Sequence, residues 1–141
     1  RPDWPQDYLA LNIGNNVGYL SPGPAFFDAV RAESLTMVEV RDADEGLRKL
    51  VDDDIDCYVN SRLTILWGLR RLSDARIYNP LVHNITRGTF VAGQWGHVGY
   101  SRAWLTRRPQ DLKVVADIDA AIRKLRGSGE MELLVDTFLT R

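Results

Sequence analysis

Short apolar runs rich in β-branched residues alternate, through the N-terminal half of the chain, with stretches whose apolar residues recur every three or four positions. Val17-Gly18-Tyr19-Leu20 is the first such run, and Ser21-Pro22-Gly23-Pro24 stops it. Phe26, Phe27, Ala29 and Val30 then predict a helix from about Pro24 to Ala32, with Pro24 suited to the first turn. Leu35 to Val40 reads as a second strand. Asp42 and Glu45 have the spacing of a capping box, ahead of a helix lined by Leu47, Leu50 and Val51 and ended by Asp52-Asp53-Asp54. Ile55 to Asn60 is a third strand, and Ser61 caps a helix carrying Leu63, Ile65, Leu66, Leu69 and Leu72. Ala75 to Val82, interrupted by Pro80, reads as a fourth strand, and Gly96 to Ser101 as a further one. Residues 83–95 carry no clear pattern. Leu112, Val115, Ile118, Ala121, Ile122 and Leu125 predict a strong helix, Gly127-Ser128-Gly129 breaks it, and a last helix runs from Glu130 to Leu139. The order β-α-β-α-β-α-β predicts an α/β fold: an open, mostly parallel sheet flanked by helices, with a C-terminal helix pair.

Several functional classes fall away on composition. The 141 residues carry 18 Lys plus Arg against 19 Asp plus Glu, a formal net charge of −1. That balance excludes a strongly basic nucleic-acid binder and leaves no polybasic membrane patch. No apolar run approaches the roughly 18 residues of a membrane span. A single cysteine, Cys57, excludes an internal disulfide and a cysteine-based zinc site, and in mid-strand it reads as a small buried apolar residue. His83 and His97 do not sit at metal-ligand spacing from other donors. Asp52, Asp53, Asp54 and Asp56 lie on a helix end and a strand and make no evident catalytic pair. No nucleophile elbow, phosphate-binding loop, dinucleotide fingerprint or zinc-protease motif occurs, so neither enzyme chemistry nor a cofactor is expected.

Two loops at expected strand ends are the candidate sites. Ser21-Pro22-Gly23 precedes a helix N-terminus, where free backbone N–H groups favour a carboxylate or phosphate; the same residues also read as an ordinary strand-to-helix turn. Asn60-Ser61-Arg62 follows the third strand. Ser61 is equally a helix N-cap, and Arg62 either holds an anion bidentately or is a solvated first-turn residue.

Val17-Gly18-Tyr19-Leu20 followed by Ser-Pro-Gly and a helix resembles the start of the second lobe of type 2 periplasmic solute-binding proteins, the family that includes polar amino-acid binders. Asp42 to Leu50 followed by Asp54-Ile55-Asp56-Cys57-Tyr58-Val59 is similar to that family's helix and following strand. Gly96 to Ser101 resembles the strand returning to the first lobe, and Asp119 to Leu125 with Gly127-Ser128-Gly129-Glu130 and Phe138 resembles the closing helices. The resemblance covers almost the whole chain, in order.

The resemblance implies residues 1–16 as the linker after a first lobe, 17–101 as the second lobe, and 102–141 as helices that pack on the first lobe. It fits an N-terminus, Arg-Pro-Asp-Trp-Pro-Gln, that reads like the interior of a longer protein. It implies ligand contacts at Ser21, Gly23, Asn60, Ser61 and Arg62, with a small polar solute between two lobes. The family's loop has Gly followed by Ser or Thr, where Pro24 and Ala25 stand here, so one N–H donor is lost. Ser61 takes the place of the family's ammonium-binding Asp, and a hydroxyl cannot neutralise an ammonium group. His97, Trp95 and Tyr100 would line the hinge or cleft wall, or else serve the core. The implied partners are the membrane permease of an ABC importer and either a first lobe or a second copy covering the C-terminal stripes; the implied location is periplasmic or extracellular. The same architecture is shared by effector domains of LysR-type regulators, receptor sensor regions and dehydratases of cyclohexadienyl type.

Overall fold

The computed structural model describes residues 2–93 and 97–140. They divide into two compact units, with the division after Gly93.

The first unit is a three-stranded parallel sheet flanked by helices. Strand β1 (Asn12–Asn16) lies between β2 (Thr36–Val40) and β3 (Cys57–Val59). Ile13 stands opposite Met37 and Cys57, and Gly14 opposite Val38 and Tyr58. Helices α1 (Pro24–Arg31), α2 (Ala43–Val51) and α3 (Arg62–Asp74) each follow a strand. Alternation along the strands splits the core in two. Ile13 packs with Phe26, Ala29 and Leu35 on the α1 side, where the Trp4 ring stacks on Phe26 at 5.6 Å. Val40, Ile55 and Tyr58 pack with Leu47, Val51 and Leu72 on the α2 and α3 side. Phe26, Ile13, Leu47 and Leu72 are fully buried, and each contributes about 1.5–3 kcal/mol of hydrophobic stabilisation.

The helix boundaries follow local chemistry. Asp42 Oδ1 accepts the Glu45 N–H at 2.9 Å, and Glu45 reaches back to the Arg41 N–H, so the expected cap forms. Ser61 Oγ accepts the Thr64 N–H at 3.2 Å and starts α3. Helix α2 closes through Asp53, whose φ is +59°, with Asp54 N–H donating to the Lys49 carbonyl.

Three expectations are corrected. The first strand is not Val17–Leu20 but Asn12–Asn16, within the stretch expected as linker. Val17, Tyr19 and Leu20 instead form an exposed loop. The polar β1 is central because Gly14 makes room for the Ile55 side chain and the Tyr58 ring, and because Asn15 and Asn16 find partners inside, as described below. Residues 75–82 form no strand: α3 ends through Arg76 at φ +59°, and Asn79 builds a turn, accepting the Leu81 N–H on its side chain and the Val82 and His83 N–H groups on its carbonyl. The strand expected over 96–101 is absent from residues 97–101. There Ser101 caps a helix, α4 (Arg102–Arg107), by accepting the Trp104 N–H. Trp95 and Gly96 lie outside the described residues.

The second unit is helical. Besides α4 it contains α5 (Leu112–Gly127) and α6 (Glu130–Thr140), the expected pair, with the break at Ser128 and Gly129. Val115, Ile122 and Leu125 on α5, and Met131 and Val135 on α6, are half-buried; no described side chain of the three helices is fully buried. No helix among the described residues is long and apolar enough to cross a membrane.

Candidate functional site

Parallel strands put every strand-to-helix loop on one edge of a sheet, the carboxyl edge. In the first unit that edge gathers the end of β1 and the loop 17–23, the end of β2 with Arg41 and Asp42, and the end of β3 with Asn60 and Ser61.

Its centre is a chain of uncharged side chains. Tyr58 is opposite Gly14, and its ring fills the space that Gly14 and Gly46 leave empty. A Cβ at Gly46 would stand 2.5 Å from the ring, and one at Gly14 would stand 3.2 Å from it. The Tyr58 hydroxyl is thereby carried to the edge, where it donates to Asn16 Oδ1 at 2.6 Å and accepts from Asn60 Nδ2 at 2.6 Å. Asn60 Oδ1 in turn accepts the Ser61 N–H at 2.8 Å. Burial pushes the Tyr58 phenol above its ordinary pKa, which keeps the hydroxyl protonated and able to donate. On the opposite face Asn15 is buried; its Nδ2 donates to the Tyr19 carbonyl at 2.9 Å and pins the loop, while its Oδ1 meets no donor among the described residues.

Comparison of the chain with family models, curated proteins and solved structures gives no match.

The expected site residues are placed as follows. Asn60, Ser61 and Arg62 are consecutive at the tip of β3. Asn60 belongs to the Tyr58 chain; Ser61 Oγ is engaged as the α3 cap, also pairing with Thr64 Oγ1 at 2.7 Å; Arg62 is exposed on the first helical turn. Ser21 is half-buried in the turn before α1. Gly23 takes φ +86° at the helix start, and its N–H is spent on the Leu20 carbonyl. With Pro22 and Pro24 lacking an N–H, this loop has little left to offer an anion. The Trp4 indole N–H holds it by the Pro22 carbonyl at 2.9 Å. No hydrogen bond among the described residues joins Ser21 or Gly23 to Asn60, Ser61 or Arg62.

Asn15, Asn16 and Tyr58 are central residues that the sequence reading passed over. The available signal was a pair of amides directly after an Ile-Gly step, which reads as a loop unless the two are seen to point to opposite faces of a strand.

The remaining chemistry-bearing groups are placed as follows. Asp56 Oδ2 accepts the Asn12 N–H at 2.7 Å and aligns β3 with β1. The Arg41 guanidinium donates to Glu45 at 2.7 Å and holds that carboxyl below the usual range. Burial raises the Cys57 thiol pKa. His83 Nδ1 accepts the Asn79 N–H at 2.8 Å, and its ring stacks on Tyr78. In the second unit His97 lines an open depression of about 360 Å³ with Val98, Asp119, Ile122 and Arg123, and the Tyr100 hydroxyl is buried without a partner among the described residues. No cluster of three or more His, Cys, Asp or Glu able to hold a metal ion occurs among the described residues.

Proposed function

We infer that the chain is a solute-binding lobe of the type 2 periplasmic binding-protein kind, and that its carboxyl edge grips a small polar solute. The observation that carries this reading is the hydrogen-bonded chain Asn16–Tyr58–Asn60, which ties the tips of β1 and β3 into one uncharged polar surface. Ligand crevices of open α/β sheets lie outside the carboxyl ends of the strands. The order β2-β1-β3, with helices on both faces, supports the reading at the level of an open parallel α/β sheet.

In the function proposed, the lobe works against a second lobe as the binding component of an ABC importer, in the periplasm or outside the cell. The solute contacts both lobes only in the closed form and so biases an open–closed equilibrium. The closed form is what a membrane permease would recognise. A single lobe makes part of those contacts and binds in the millimolar range, about 4 kcal/mol. Part of the solute-facing surface is Asn60; Ser61 sets the direction of α3, and Ser21 and Gly23 shape the loop that borders the edge.

A thermal-shift screen of the chain with polar solutes, run to about 100 mM, tests this. A solute at 100 times its Kd raises stability by about 2.7 kcal/mol. A saturable rise for at least one solute, lost on Tyr58→Phe, is the expected result. A flat response across amino acids, sugars, polyols and amides overturns the proposal.

A further inference from the structure

With β1 in the middle of the sheet, β2 and β3 are its edges, and β2 is the longer. The hydrogen-bonding groups of β2 alternate in direction. The Thr36 N–H donates to the Leu11 carbonyl at 3.2 Å, and the Val40 carbonyl accepts the Val17 N–H at 3.0 Å, so Thr36, Val38 and Val40 turn their backbone groups to β1. Those of Met37 and Glu39 point away from the sheet, and no hydrogen bond among the described residues reaches them. The free run ends at Arg41, whose N–H is taken by Glu45 Oε2 at 3.1 Å. Thr36 and Glu39 are exposed and Met37 and Val38 half-buried. On the Val38 face, α2 contacts β1 and β3 as well as β2, and so lies over the sheet.

Open edges recruit further strands unless Lys, Pro or a bulge stops them. Thr-Met-Val-Glu-Val, in unbroken register with β1, has none of these.

We propose that β2 is a self-pairing edge: two copies of this chain join β2 to β2, antiparallel about Val38, into one continuous sheet. The strand is its own complement. With Val38 opposite Val38 of the second copy, Met37 of each copy stands opposite Glu39 of the other. Those are the residues whose N–H and C=O groups are free, and each such pair exchanges both of its hydrogen bonds. A slide of one residue sets free groups of one copy against inward-turned groups of the other. The strand's only charge, Glu39, faces Met37; the two Glu39 carboxylates are diagonal neighbours, exposed and screened by salt. On the other face the β-branched Thr36, Val38 and Val40 meet Val40, Val38 and Thr36, pairs that stabilise an antiparallel ladder. A contact this short falls below the roughly 1,200 Å² of stable complexes, so the pair is weak and concentration-dependent. It leaves Asn16, Tyr58 and Asn60 untouched and does not depend on what binds at the carboxyl edge.

Sedimentation velocity of the chain from about 10 µM to about 1 mM tests this, in the range of weak contacts. A monomer–dimer equilibrium within that range is the expected result. Glu39→Pro removes an outward N–H and spares the β1 ladder, a place where edge strands admit proline, and should weaken the dimer about tenfold or more. Val38→Cys combined with Cys57→Ser should yield a disulfide-linked dimer under mild oxidation, because a non-hydrogen-bonded pair sets its Cα atoms about 4.5 Å apart, within disulfide reach. Thr36→Cys in the same background should stay unlinked. The cross-link decides the matter if Glu39→Pro does not fold. A chain that stays monomeric throughout overturns the proposal, as does a dimer that folded Glu39→Pro leaves unchanged, or Val38→Cys left unlinked. An open series of larger species also overturns it, because an isologous pair closes on itself.

Discussion

The Tyr58 hydroxyl lies 2.6 Å from Asn16 Oδ1, so the tips of β3 and β1 are joined by side chains as well as by the sheet ladder. The partners are both buried, where an unmet polar atom is expensive. Tyr58→Phe keeps the ring and strands Asn16 Oδ1. The expected cost is about 1–3 kcal/mol, read as a lower urea midpoint with an unchanged slope.

The same hydroxyl makes stability depend on alkaline pH. Burial raises the Tyr58 pKa above its unfolded value. Its contribution is therefore complete below about pH 10 and is lost as pH climbs through and beyond that value. Melting temperatures between about pH 8 and 11 should fall, and the fall should be shallower in Tyr58→Phe. Cys57, also raised by burial, adds to the same limb. At the acid end Glu45 acts in the opposite sense. Its lowered pKa gives a contribution present above about pH 4.3 and lost as pH drops.

Gly46→Ala sets two effects against each other. Alanine gains up to about 1 kcal/mol in helix propensity. The added Cβ, however, meets the Tyr58 ring at 2.5–2.9 Å, and overpacking costs about 1–3 kcal/mol. The clash wins, because the ring is pinned at its far end by the Asn16 and Asn60 hydrogen bonds. Chemical denaturation should show a net loss of about 1 kcal/mol, and pairing the change with Tyr58→Phe should give less than the sum of the two losses.

Arg76 ends α3 at φ +59°, a region that glycine enters freely and arginine does not. Arg76→Gly should stabilise the chain by about 0.5–1 kcal/mol, visible as a melting temperature raised by about 2–4 °C.

Cys57 should react slowly with a thiol reagent at pH 8 in the folded chain. Its side chain packs with the α1-side core, and burial keeps the thiol protonated. Unfolding in guanidinium should restore the rate expected of a free cysteine.

The helices were legible because their signals are local. Asp42 with Glu45 marked α2, Ser61 marked α3, and apolar residues at three- and four-residue spacing marked α5 and α6. The class of fold followed from their order. Strand β1 was not legible, because its residues are tolerated for reasons that lie elsewhere in the chain. Gly14 is required by Ile55 and Tyr58, more than 40 positions later, and Asn16 is satisfied by Tyr58. Val17 to Leu20 looked more like a strand than the strand itself, yet Leu20 is 78% exposed. The region 75–82 misled through its apolar content, whereas Asn79 and Pro80 decide its path. At the site, Asn60 and Ser61 are visible in the sequence as strand-end residues, while nothing local to Tyr58 distinguishes the phenol that organises Asn60 from an ordinary strand side chain.

Gly14 and Gly46 act as a gauge on the aromatic ring between them. Widening Gly46 lifts the phenol, and the displacement emerges at the rim as a shift of both amides; widening Gly14 strikes the Ile55 side chain first. Thermal robustness and the geometry of that rim are therefore one inherited trait at Gly46. Selection on either drags the other with it.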